Sequence, residues 1–288
     1  MSAPGEAPPT FDLQSHSTRS DGTLGPADVV RRARAAGVEL LALTDHDTVD
    51  GVDEALETAA AEGLRLVPAA ELSALDGDWE DVHILGYGID HRQSALLAAL
   101  AGFRADRVAR AERIAAAMRD LGWVVELPVA GDRPIGRPHL SRAVFDHQQN
   151  RMRLAEEGLV NFSQLLEAYL IPGRPGYRRR ETPTVAEAIA LVHEAGGVAV
   201  WAHPFWDLDH DEAVLDTVER FAALGIDGVE AFYATHTREQ TVLLAARSEE
   251  LGLLTTGSAD FHGPDHPQFS AFRAFALHGC EPHLGPIA

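Results

Sequence analysis

The sequence predicts an α/β fold in which βα units repeat around a closed or nearly closed barrel, with one helical insert capping a face. Three observations lead there. Short apolar runs alternate with segments of helical period along most of the chain, giving at least seven strands, which favours a barrel of parallel strands over an open sheet. The runs turn polar at their C-terminal ends, where histidines and carboxylates stand. Residues 98–182 break this rhythm with helical pattern and a concentration of arginine.

In chain order, residues 1–10 (MSAPGEAPPT) lack the basic start and apolar stretch of a signal peptide and read as a disordered tail. "FDLQSH" opens as a strand and turns polar at once. "ADVVRRARAAGV" is helical and leads into the strand "ELLALTDHD"; "VDEALETAAAEG" leads into "LRLVPAAELSA"; "DVHILGYGID" is a fourth strand. The insert carries a long helix near Leu96–Leu121, followed by "GRPHLSRAVF" and "NFSQLLEAYL". The repeat then resumes: "TVAEAIALVHEAGG" to "VAVWAHPF", "DEAVLDTVERFAALG" to "IDGVEAFYATH", and "REQTVLLAARSEELG" to "LLTTGSADFHG". Glycine closes several of these helices just before a strand, the usual stop in an αβ connection. The organisation is therefore a barrel built from 11–97 and 183–288, with the insert at 98–182.

Composition narrows the function classes. Of 288 residues 45% are apolar, and no run reaches the ~18–20 apolar residues that span a bilayer, so a cytoplasmic setting is expected. The single cysteine, Cys280, leaves no disulfide framework and no thiolate cluster. A net charge of −20 argues against capture of long duplex nucleic acid. The charge is unevenly placed: all 24 basic residues are arginine, and residues 100–182 hold 14 of them against ten acids. Arginine grips phosphate bidentately, so the cluster points to a phosphorylated ligand.

The strand ends carry the chemistry. His16 and Asp21 follow the first strand, Asp45, His46 and Asp47 the second, and Glu71 is expected to end the third. His83 lies in the fourth, His203 ends the fifth, and Asp260 and His262 end the last. In a (β/α) barrel these ends share one rim, and imidazoles mixed with carboxylates there are a divalent-metal pattern. His91, His147, His193, His210, His266, His278 and His283 fit no such pattern.

The segments "FDLQSHSTRSDGTL", "ALTDHDTVDG", "PAAELSA", "HILGYGID", "GRPHLSRAV", "GGVAVWAHP", "GIDGVEAFY" and "GLLTTGSADFHG" together resemble the PHP (polymerase and histidinol phosphatase) superfamily along nearly the whole chain. The "GRPH" insert is similar to the branch containing 3′,5′-nucleoside bisphosphate phosphatases, AMP phosphatases and 5′-to-3′ exoribonucleases. The resemblance implies a distorted (β/α)7 barrel holding two to three divalent ions (Mn²⁺, Fe²⁺ or Zn²⁺). It implies one site of position 14, His16, Glu71 and Asp260, a second of Glu71, His83 and His203, and a third of Asp21, His46 and His262. The family opens Asp-Leu-His-x-His, and here Gln14 replaces the first histidine. A neutral amide oxygen is the weaker ligand, so the first ion is expected to be the most easily lost.

The implied reaction is hydrolysis of a nucleotide phosphate ester by hydroxide generated among the ions, with no separate catalytic residue assigned. Arg137 and His139 are the implied phosphate contacts. Tyr177–Arg180 and His236 carry both a pocket reading and a plain surface or loop reading. A small nucleotide or a short oligonucleotide is the expected partner, with no membrane involved. Histidinol-phosphate phosphatase activity and a weakened metal-binding module are the alternatives.

Overall fold

The structure, a computed structural model, describes residues 8–127, 136–206 and 208–288. Two compact units emerge: residues up to Leu100 together with Pro183–Ala288, and Ala101–Thr182.

The first unit is a seven-stranded sheet in the order β1 to β7. Its elements are β1 (Phe11–Asp12), α1 (Pro26–Ala35), β2 (Leu40–Leu43), α2 (Val52–Glu62), β3 (Arg65–Asp76) and β4 (Trp79–Tyr87). Helix α3 (Ser94–Asp120) leaves this unit and runs into the second. After the second unit come α7 (Val185–Glu194), β5 (Val198–Trp201), α8 (Asp211–Ala223), β6 (Gly228–Tyr233), α9 (Arg238–Leu251) and β7 (Leu254–Ser258). Strands β2, β6 and β7 are buried at every residue, as expected where helices cover one side and a filled interior the other. The helices bury residues at the i, i+3, i+4, i+7 spacing that defines one face, as in Val185, Ala188, Ile189 and Val192 of α7.

The sheet is nearly closed. Beyond β1, the Leu13 amide donates to the Gly257 carbonyl at 3.1 Å and the His16 amide to the Phe261 carbonyl at 2.8 Å. These bonds join the first strand to the segment leaving the last.

Two features differ from the sequence reading. The sheet is mixed rather than uniformly parallel, because β4 runs antiparallel to both β3 and β5. Only Gly77 and Asp78 separate β3 from β4, whereas a parallel crossover needs a dozen or more residues. Gly77 takes φ +59°, the left-handed conformation that such tight hairpin turns demand. Consequently β3 does not stop at Glu71 but continues to Asp76, leaving Glu71 inside the strand.

The chain is also held earlier than expected. Arg273 donates to the carbonyls of Pro8 and Pro9, and the Glu39 amide donates to that of Thr10. The rest of the expected tail, 1–7, lies outside the described residues.

The second unit has α4 (Arg137–Asp146), α5 (Arg151–Glu156) and α6 (Phe162–Tyr169) packed with the later turns of α3. Ile114, Met118, Trp123, Leu140, Val144 and Leu165 form its own core. Arg153 lies 4.1 Å from the Trp123 ring, covering it with a cation. No described helix is long and apolar enough to cross a membrane.

Candidate metal centre

Each residue expected as a metal ligand in the barrel reaches one cluster, buried at His16 and Glu71 and open to solvent at Asp21. His16 sits where the extension of β1 bridges Phe261, and His46 where the chain after β2 bridges Glu71. His83 lies on the same face of the β3–β4 hairpin as Glu71, because Ser73 pairs with His83 and side chains alternate along a strand. His203 and Asp260 follow β5 and β7 in positive-φ conformations of 31° and 53°. Non-glycine residues in that region are uncommon and gather at functional sites.

Glu71 is the hub and is fully buried. Its Oε1 lies 3.0 Å from His83 Nδ1 and 3.2 Å from His203 Nε2. Its Oε2 lies 3.1 Å from His16 Nε2 and 3.5 Å from His46 Nδ1. Asp260 Oδ1 is 3.1 Å from His16 Nε2. On the outer side Asp21 lies 3.5–3.6 Å from His16, His46 and His262. Two sets therefore offer converging ligand atoms: His16, Asp21, His46 and His262, and His46, Glu71 and His83.

The donor set fits a divalent cation. His16 Nε2, His46 Nδ1 and Asp260 Oδ1 are buried without a hydrogen bond, although His16 Nε2 is within 3.1 Å of two carboxylates. Their lone pairs converge without lining up on one another, the arrangement a shared cation satisfies. Such polar atoms are costly to bury otherwise.

Imidazoles packed against carboxylates set the charge states of the cluster. Burial by itself would raise the Glu71 pKa, but His46, His83, His16 and His203 outweigh it and hold the carboxyl well below its usual range. Burial opposes charge on His16, yet the carboxylates of Asp260 and Glu71 within 3.1 Å raise it well above the ordinary histidine value, so a cation binding there would have to displace that proton. Burial dominates at His46 and brings it down to about 4, so this imidazole is neutral as a ligand requires.

Residues that positional reasoning missed hold the cluster in place. The Tyr233 hydroxyl donates to Asp260 Oδ2 at 2.7 Å, which leaves Oδ1 facing the centre. Burial and the neighbouring carboxylates push Tyr233 far above the normal phenol range, so it remains a donor. Glu230 accepts from the His203 amide and the Ser258 hydroxyl, and burial keeps it well above the usual carboxylate range. Both lie in the segment GIDGVEAFY that carries part of the family resemblance, yet no role is read for either from the sequence. Asp45 and Asp47, noted at the strand end, serve the backbone: Asp45 accepts from Ser17 and Ser20, and Asp47 from Ser73.

Gln14 is buried beside the hub. Its Nε2 donates to Glu71 Oε2 at 3.0 Å, and its Oε1 lies 3.4 Å from Ser258 Oγ. His236 is buried against Tyr233 and Phe205, with Nδ1 donating to the Ala231 carbonyl at 3.1 Å. Trp206 is 48% exposed and lies beside His203, Tyr233 and Phe269.

In the second unit, Arg137 opens α4 and His139 Nδ1 accepts from the Gly136 amide at 3.1 Å, closing the helix start. That bond fixes the tautomer and leaves His139 Nε2 as a donor. Arg110 and Arg113 donate to the carbonyls of Arg178 and Arg179, so part of the arginine cluster serves to hold the Tyr177–Arg180 segment.

The comparisons with known proteins come down on the same chemistry. The PHP domain model matches residues 12–105. The chain is 34% identical to a 3′,5′-nucleoside bisphosphate phosphatase of Chromobacterium violaceum, over 88% of this chain and 87% of that protein. It is also 34% identical to a 5′-3′ exoribonuclease of Haemophilus influenzae, over 88% and 90%. A solved amidohydrolase structure from Chromobacterium violaceum, with bound sulfate and no metal, aligns with TM-score 0.71 and 30% identity over 97% of this chain and 93% of its own. On the strength of these full-length matches and the cluster of imidazoles and carboxylates around Glu71, the chain belongs to the PHP domain family.

Proposed function

We infer that the protein is a metal-dependent phosphoesterase that hydrolyses a phosphate ester of a nucleotide. The observation that carries this reading is Glu71: one fully buried carboxylate with two imidazoles at each oxygen, the arrangement of a bridge between cations. His16, Asp21, His46, His83, His203, Asp260 and His262 are the remaining proposed ligands, holding two to three ions of Mn²⁺, Fe²⁺ or Zn²⁺. Such ions, when bound, neutralise phosphate oxygens and acidify a water. The protein's own part is to fix the ligands: Tyr233 orients Asp260, and the hairpin sets Glu71 and His83 on one face.

Arg137 and His139 are proposed as phosphate contacts on the strength of the "GRPH" motif. Arginine supplies a bidentate grip, and the Nε2–H of His139 a single hydrogen bond. The half-exposed Trp206 beside His203 supports a nucleotide over a plain phosphate ester, since an aromatic face next to the reacting group suits base stacking.

The test is phosphate release by purified, metal-stripped protein before and after adding Mn²⁺. The panel is AMP, a nucleoside 3′,5′-bisphosphate, a 5′-phosphorylated RNA trimer and histidinol phosphate. Release that needs metal and favours the nucleotides is expected. Full activity in chelator, or preference for histidinol phosphate, would overturn the reading.

A further inference from the structure

We propose that Gln14 is a positioning residue for the bridging carboxylate, not a metal ligand, and that the chain has converted a ligand position of its family into a hydrogen-bond donor. The proposal rests on the metal-centre reading above. It is carried by the direction of the Gln14 amide, which points its nitrogen at the hub.

Gln14 is 1% exposed and has no solvent to satisfy it. Its Nε2 donates to Glu71 Oε2 at 3.0 Å. That same oxygen faces His16 Nε2 and His46 Nδ1, so three nitrogens surround it. Turning the amide over to present Oε1 to a cation would set a second oxygen about where Nε2 now stands, against the carboxylate. It would also exchange the neighbour of the Ser258 hydroxyl, which now lies 3.4 Å from Oε1 and 2.6 Å from Glu230 Oε1. The orientation is set on the Glu71 side, where N–H meets carboxylate at 3.0 Å; the Ser258 hydroxyl gives its one proton to Glu230 at 2.6 Å and accommodates either end of the amide.

The chemistry separates this role from ligation. A ligating imidazole adds electron density to a cation. An amide N–H adds none and instead fixes the rotation of Glu71, which orients both its oxygens. Hydrogen-bond partners of metal ligands typically hold 10–100-fold of metal affinity.

Two variants, each measured by equilibrium metal titration and by counting Mn²⁺ per chain at saturation, test the assignment. Circular dichroism confirms the fold. In Gln14→Glu the donor becomes a carboxylate oxygen facing Glu71, so Mn²⁺ affinity should fall at least about 10-fold. Were Gln14 a ligand through oxygen, the same change would supply a stronger anionic ligand, and affinity would rise. In Gln14→Leu the protein should reach the wild-type number of ions at saturation with about 10–100-fold weaker affinity. Loss of one ion per chain at saturation, or tighter binding in Gln14→Glu, would overturn the assignment. Wild-type protein that takes up no Mn²⁺ would instead overturn the metal-centre reading itself, which keeps the two failures apart.

Discussion

At the scale of the residue, the histidines and carboxylates that gather around Glu71 were legible and the residues that hold them were not. His16, His46, His203, Asp260 and His262 could be picked out because each stands where an apolar run ends, and the fold does bring them together. Tyr233 and Glu230 act through partners far along the chain, Asp260 and Ser258, and no local pattern encodes such pairings. Glu71 is the residue on which most depends. We predict that Glu71→Gln lowers Mn²⁺ affinity more than about 100-fold, beyond what a supporting residue costs, and abolishes phosphate release. Wild-type metal content and turnover in that variant would remove the bridge. Arg137→Ala should leave metal content intact and raise KM for nucleotides by the equivalent of about 1.5–3 kcal/mol, the worth of a hydrogen bond to a charged group. An unchanged KM would return Arg137 to an ordinary helix-start residue.

Among the elements, helices and parallel strands were readable because a helix repeats its apolar residues at a period of 3.6, whereas a strand buried on both faces is an unbroken apolar run. The direction of β4 was the harder matter, although "DGD" between two apolar runs is a hairpin signal. The alternation of strand and helix elsewhere masked it. The loop after β1 shows how tightly an element can set chemistry. A Cβ on Gly22 would lie 2.2 Å from the His16 carbonyl oxygen and 2.8 Å from the Ser17 amide nitrogen, and backbone cannot swing aside as a side chain does. Gly22→Ala should therefore displace both His16 and Asp21. We expect a stability loss of about 1–3 kcal/mol, as for overpacking, together with weakened metal binding. Normal metal affinity in a stable Gly22→Ala protein would show that the loop adjusts without moving its ligands.

For the whole molecule, stability should depend on acid through a residue outside the ligand set. Burial brings His236 down to about 4 from the ordinary histidine value of 6.5, so the unfolded chain takes up that proton first as pH falls. The contribution is complete above about pH 6.5 and is lost as pH drops towards 4. It amounts to on the order of 3 kcal/mol at 1.36 kcal/mol per unit. His236→Gln should flatten this part of the curve, read from denaturant unfolding of metal-free protein between pH 7 and pH 4.5. Equal pH dependence in wild type and variant would contradict the neutral, buried imidazole. Composition was a sound guide at this scale only to charge and size; it says nothing of which surfaces meet.

The seam between β1 and β7 has a further consequence for how the protein is made. Gln14 and Ser258 are 244 residues apart, and His16 meets Asp260 across the same join. Non-local pairings of this kind form late in folding. During synthesis the early histidines leave the ribosome long before their last carboxylate exists, so the proposed centre cannot be complete until the segment carrying Asp260 has emerged. Capture of a full set of ions at the proposed centre therefore waits on the segment that carries Asp260.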